Sequence, residues 1–268
     1  MRYRGKKSYL YPKIQKEMKL QYLSDLHLEF PLNRAYLKEN PIIPSAEILI
    51  IAGDTYHLDK DFSQLEFIQQ VSDQFEQVFL LPGNHEYYGG FDASTALTSM
   101  DKYIFPNVRI INNKVIQIED TQLIFTTLWS EITKYPDKIK RAIYDFWKIK
   151  YNGSLLSTYQ FNDLHYYSFR FLEEACQAEG EKVVITHHLP SFQCNVEEFM
   201  FSKWNEAFCV DKHQFIVDSD IRYWIYGHSH RNKSDFEING TQMRTNQMGY
   251  VEFGEQSTFR LNKTINLP

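Results

Sequence analysis

Apolar residues in this chain gather in short runs that stop abruptly at polar ones. Leu20 to Leu23, Glu47 to Ala52, Val78 to Leu81, Val183 to Thr186 and Tyr223 to Tyr226 are rich in β-branched and aromatic side chains. Runs of this length and kind predict strands buried on both faces, as in a parallel sheet. Between the second and third, Asp61 to Phe75 places Leu65, Ile68 and Val71 at helical spacing behind an Asp in capping position. Strand, helix, strand in that order predicts a right-handed parallel crossover. Val108 to Thr127 reads as antiparallel strands turning at Asn112-Asn113 and Glu119-Asp120, the last running on through Leu128 and Trp129. Asp235 to Ile238 and Thr241 to Thr245 flank Asn239-Gly240, a hairpin turn.

Residues 130 to 162 mix Lys, Tyr, Trp and Asp with weak periodicity, and a helix over 163–178 then turns Leu164, Tyr167, Phe171 and Leu172 toward the core. We read about 130–170 as a lid-like insertion over a site. Tyr144, Trp147, Tyr151 and Tyr166 make it aromatic, which suits a nucleotide or aryl group.

With 268 residues and 43% hydrophobic content the chain can bury one large core. No repeat or Gly/Pro/Ser-rich linker divides it, so residues 18–268 are expected to form one domain behind a basic, Tyr-rich N-terminal extension at 1–17. Met18 is an alternative start. A net charge of -5 exerts no general pull on nucleic acid or anionic lipid; nucleic acid is possible as a partner but not indicated. No apolar stretch approaches the roughly 20 residues that span a membrane. Cys176, Cys194 and Cys209 are odd in number and lack metal-type spacing, so the expected compartment is the reducing cytoplasm. The oligomeric state leaves no mark in the sequence.

In an open α/β sheet, ligands bind beyond the carboxyl ends of the strands. The residues following the apolar runs are Asp25, His27, Asp54, Asn84, His85, His187, His188, His228 and His230. All offer oxygen or imidazole donors and none a thiol, which suits a divalent cation such as Mn, Fe, Zn or Ni. Asp25-Leu26-His27 and His228-Ser229-His230 have the spacing that puts alternate side chains on one face. Gly53, Gly83 and Gly227 precede three of these sites and let the backbone turn sharply beside an ion. A carboxylate such as Asp54 can bridge two cations roughly 3.5 to 4 Å apart.

The ordered set Asp25-x-His27, Gly53-Asp54, Gly83-Asn84-His85-Glu86, His187 and Gly227-His228-x-His230 resembles the calcineurin-like metallophosphoesterase superfamily over roughly residues 19 to 250. Leu128-Trp129, Asn246 and Gly249-Tyr250 are similar to small bacterial members. The resemblance implies an α/β, four-layer αββα sandwich with two mixed β-sheets. It implies two divalent metal ions, the first on Asp25, His27, Asp54 and His230 and the second on Asp54, Asn84, His187 and His228. After Gly53-Asp54 come Thr55-Tyr56-His57, not the acid and arginine of the phosphoprotein phosphatases, which argues against that subgroup.

The expected activity is hydrolysis of a phosphomonoester or phosphodiester, on a small-molecule or nucleotide substrate, by a hydroxide bridging the two metals. His85, beside Asn84 and not needed as a ligand, is the expected proton donor to the leaving alkoxide. Asn84 and Trp129 are candidate substrate contacts, although a Trp closing the core is the more ordinary role. Glu86 either orients the loop or completes a turn at the surface. His188 is expected to be structural, and His165 to lie on a helix surface. Two other readings fit the same residues: a metal-dependent hydrolase of a non-phosphate bond, and a metal-binding interaction module without turnover.

Overall fold

In the computed structural model the described residues are 18–267. The extension expected at 1–17 lies outside the described residues.

Alternation along the strands builds the layers. In β2 (Ile48–Ala52) every residue is buried. Ile48, Ile50 and Ala52 face one apolar cluster while Leu49 and Ile51 face another, because successive side chains point to opposite faces. The same division runs through β1 (Lys19–Leu23) and β3 (Gln77–Leu81). Together with β4 (Met100–Phe105), β5 (Val108–Asn112) and β14 (Thr264–Asn266) they form a six-stranded sheet in the order β14-β1-β2-β3-β5-β4. Its four central strands are parallel and both edges antiparallel.

The second sheet repeats the plan. It orders β12 (Phe236–Ile238), β13 (Thr241–Thr245), β11 (Tyr223–Tyr226), β10 (Glu181–Ile185), β7 (Thr121–Phe125) and β6 (Lys114–Ile118), again four parallel strands between two antiparallel edges. Tyr22, Ile50 and Phe79 of the first sheet pack between the sheets with Phe125, Ile185 and Ile225 of the second. On the far side of sheet one, Leu37 of α1 (Pro31–Glu39) and Ile68 and Val71 of α2 (Glu66–Gln74) cover Leu49, Ile51 and Leu80. On the far side of sheet two, Leu172 of α5 (Thr158–Cys176) and Ile216 of α7 (His213–Asp218) cover Val184 and Trp224. The architecture is therefore the expected four-layer sandwich. Among the described residues no helix is long and apolar enough to cross a membrane.

Three local expectations are corrected. Asp61 caps only a 3-10 turn, Phe62–Gln64, by accepting from Ser63 N at 3.0 Å; α2 begins at Glu66. Asn112-Asn113 is no hairpin turn, because β5 and β6 belong to different sheets. The pair instead joins them: Asn112 accepts from Thr127 N and Asn113 from the Thr126 hydroxyl. Finally, α5 starts at Thr158, where Ser157 and Gln160 form a reciprocal capping box. Its buried face carries Phe161, Leu164, His165, Ser168 and Leu172, while Tyr167 is exposed.

Between β7 and α5 lie α3 (Pro136–Ala142), α4 (Asp145–Lys148) and the small hairpin of β8 (Lys150–Tyr151) and β9 (Ser154–Leu155). A second cap segment, containing α6 (Glu197–Met200), follows β10. Glu206 ties the two together by accepting from Thr133 N at 2.8 Å and from the Thr133 hydroxyl at 2.9 Å.

Candidate metal centre

Both sheets send the carboxyl ends of their parallel strands to one place. Asp25 and His27 follow β1, Asp54 follows β2, Asn84 and His85 follow β3, His187 follows β10, and His228 and His230 follow β11. The loops grip one another through the backbone. Asp25 N donates to Gly53 O at 2.9 Å, His27 N to Asp54 O at 2.8 Å and Gly227 N to His187 O at 3.0 Å. Asp25 Oδ1, across 203 residues, accepts from His228 N at 2.9 Å.

Among the described residues the donor atoms form three sets, one of them His27, Glu29 and His85, and the other two share Asp54. Asp25, His27, Asp54 and His230 make one; Asp54, His187 and His228 make the other; within each, the atoms lie within 4.8 Å of one another. Donors about 2.1 Å from a cation sit roughly 3.0 to 3.4 Å apart around it. Here Nε2 of His27 and His230 are 2.8 Å apart, Nε2 of His187 is 3.3 Å from Asp54 Oδ1, and Nδ1 of His228 is 3.1 Å from His187 Nε2. Asn84 Oδ1 stands 3.2 Å from the same His187 nitrogen. The arrangement fits a cation in each of the two sets that share Asp54.

The opposite ring nitrogens explain the orientation. Nδ1 of His27 meets Glu29 at 3.1 Å, Nδ1 of His187 meets Ala52 O at 2.9 Å, and Nδ1 of His230 meets Glu255 at 2.9 Å. A carbonyl or carboxylate at Nδ1 fixes the tautomer that leaves Nε2 as a lone-pair donor. Burial would raise the Glu255 carboxyl, but bonds from His230, Tyr250 N and Arg231 hold it down to about 2.

The backbone is strained here. Asp25, His27, Asp54, His228 and His230 all have φ between 47° and 78°, a left-handed conformation that costs a non-glycine residue roughly 1 to 2 kcal/mol. Such strain persists only where surrounding structure enforces it. The glycines are required sterically: a Cβ on Gly53 would overlap the His187 ring, and one on Gly83 would lie 2.6 Å from His187 Nε2.

His85 lies beside both Asp54 sets. Its N donates to Asp54 Oδ1 at 3.0 Å, Nδ1 meets Glu29 at 2.8 Å, and Nε2 faces the Tyr250 hydroxyl at 3.3 Å. Burial would lower this imidazole, but the charge of Asp54 and the bond and charge of Glu29 outweigh it and raise it to about 9. Glu86 is buried, not superficial: it accepts from Asp54 N, Thr55 N and Gly83 N, and so braces two ligand loops at once. His188 bonds nothing through its ring among the described residues. It packs between Trp129 and His228, and burial keeps it well below the usual imidazole range.

A cavity of about 1230 Å³ opens onto the donors. Its outer wall is the stretch Ala142 to Lys148 of the first cap segment together with Asn195 to Phe208 of the second. The expected aromatic lid is only partly realised. Tyr144 lines the cavity, whereas Trp147 and Tyr166 are exposed elsewhere and Tyr151 is buried beneath the cap. Trp129 is buried against Tyr87 and Phe161 and does not reach the cavity. His165, expected on a helix surface, is buried, with Nδ1 3.0 Å from Leu128 O.

Sequence reasoning missed Glu29, Glu255 and Asp145, and quoted Tyr250 without a role. Glu29 follows His27 by two residues, a spacing that places both on one side of an extended segment and could have marked it. Asp145 and Glu255 sit in segments without periodic pattern, so nothing in the sequence singled them out.

The model of the family described as calcineurin-like phosphoesterase matches residues 18–232. An uncharacterised protein of Acanthamoeba polyphaga mimivirus is 29% identical over 260 residues, covering 86% of this chain and 91% of its own. Among solved structures, the phosphopantetheinyl hydrolase of Mycobacterium tuberculosis superposes with a TM-score of 0.67 at 15% identity, over 93% of this chain and 96% of that one.

Proposed function

The chain belongs to the calcineurin-like phosphoesterase family, and on that premise we propose that it is a dinuclear metal-dependent hydrolase of phosphoric esters. The observation that carries this reading is the sharing of Asp54 between two donor sets. Two divalent cations supply, when bound, a water of lowered pKa and charge to neutralise phosphoryl oxygens.

This chain's own residues do the rest. Asp25, His27 and His230 would hold the first cation and Asn84, His187 and His228 the second, with Asp54 common to both. Glu29 and Glu255 keep His27 and His230 in the tautomer whose Nε2 lone pair can bind a cation. His85 is held by Glu29 at Nδ1 and presents Nε2 to the cavity, where it can give its proton to the departing alcohol. Tyr250, 3.3 Å from that nitrogen, positions it. The name of the Mycobacterium tuberculosis neighbour is consistent with an ester of this general type. Assaying p-nitrophenyl phosphate and bis-p-nitrophenyl phosphate with Mn²⁺-loaded protein tests the reading. Turnover of either, lost in Asp54→Asn, supports it; no turnover of either by protein with metal bound overturns it.

A further inference from the structure

The cavity is larger than the chemistry needs. Pockets for drug-sized ligands run roughly 300 to 1,000 Å³, and about 1230 Å³ lies open beside the donors here. A phosphoryl group occupies only the donor end. The remainder must take the alcohol portion of the ester, and its wall is built from Ile143, Tyr144, Phe199, Trp204 and Phe208.

The charge of that wall is selective. Among the described residues lining the cavity, Lys148 is the one lysine or arginine; Glu29, Asp54, His85, His228 and His230 stand at the donor end, and Asp145 is the carboxylate of the cap wall. Arg231, near the same wall, is already paired with Glu255 at 2.8 Å and lies over Phe199. Asn195 and Asn205 bond to each other at 2.6 Å. A nucleic-acid strand or a bisphosphate would carry its further phosphates into a space with almost no cations to meet them, a costly transfer.

We propose that the chamber accepts esters of a bulky, uncharged, aromatic or apolar alcohol and discriminates against alcohols bearing a second negative charge. This rests on the phosphoesterase reading above and specifies its substrate class. Phe199 and Trp204 act as specificity determinants through contact with that alcohol.

The test compares phenyl phosphate, 1-naphthyl phosphate and 4-carboxyphenyl phosphate, whose leaving phenols are similar in acidity, on Mn²⁺-loaded full-length protein. Burying the second ring predicts a kcat/KM for the naphthyl ester roughly tenfold above the phenyl ester, and the carboxylate predicts one at least tenfold below it. Phe199→Ser and Trp204→Ser should shrink the naphthyl advantage below about threefold, with the larger change in KM. Equal or better hydrolysis of the carboxylated ester overturns the inference, as does an equal loss on all three esters in both variants. Silence toward all three by metal-loaded protein that does hydrolyse bis-p-nitrophenyl phosphate overturns the inference, whereas silence toward all three and toward bis-p-nitrophenyl phosphate overturns the phosphoesterase reading itself.

Discussion

The side-chain amide of Asn84 donates to Asp145 Oδ1 at 2.8 Å, so a residue of the cap decides which end of that amide faces His187. With its nitrogen held, Asn84 turns Oδ1, the atom that would bind a cation, toward His187. Tyr88 donates to the same carboxylate oxygen. The cap and the donor cluster are therefore one hydrogen-bonded unit.

Asp145→Ala should release the Asn84 amide and weaken metal retention roughly 10- to 100-fold, the range for lost outer-shell support. Asp145→Asn keeps an acceptor and should retain most of it. Metal content after dialysis against a graded chelator checks both. Equal retention by Asp145→Ala and wild type would contradict the role given to this contact.

Gly53→Ala and Gly83→Ala each insert a methyl group into the His187 ring or its contact with Asp54. Both should lose metal. Gly53→Ala should also be the less stable of the two, by roughly 1 kcal/mol, since φ at Gly53 is +95°. Metal analysis and thermal melting of the two variants decide this; a metal-replete Gly83→Ala would refute the steric argument.

How far the sequence could be read follows from what these contacts require. The donors clustered around Asp54 were legible because each follows an apolar run, and the parallel strand ends converge by topology alone. Asp145 was not, because its partner lies 61 residues away and the cap around it has no period. The edge strands β4 and β14 were missed for a related reason: an edge needs no continuous apolar run, and β4 is exposed or half-buried throughout. His165 was misjudged because what buries it is a pair of loop carbonyls, Leu128 and Trp129, which no local pattern announces. The second wall, Asn195 to Phe208, is made of short turns whose apolar residues follow neither a strand nor a helix period.

Ser157→Ala removes the side chain that accepts from Gln160 N at 3.2 Å at the start of α5. The expected cost is about 1 kcal/mol, seen as a fall of roughly 2 to 4 °C in Tm. Hydrolysis per metal-loaded chain should be unaffected. A melting temperature equal to wild type would show that the cap contributes nothing.

Asp92 clamps the cap hairpin to the core by accepting from Ser94 N, Asn152 N and Gly153 N. Burial would raise its carboxyl, but a bond from the Ser94 side chain and these backbone bonds hold it down to about 2, below its ordinary 3.8. A depressed folded pKa gives stability that is complete above about pH 4 and is lost as pH falls toward 2. Asp92→Asn should therefore melt below wild type at pH 6, with the gap narrowing between pH 4 and pH 2. A gap that stays constant over that range would count against the carboxylate charge as its source.

The proposed function requires Asp54 to join two cation sites into one hydrolytic centre. Metal stoichiometry measured together with phosphoester turnover, on wild type and Asp54→Asn purified alike, decides this. Two divalent ions per wild-type chain with turnover are expected, and loss of both metal occupancy and turnover in the variant. A wild-type chain that binds one ion or none when saturated, or an Asp54→Asn chain that still turns over at the wild-type rate, would contradict it.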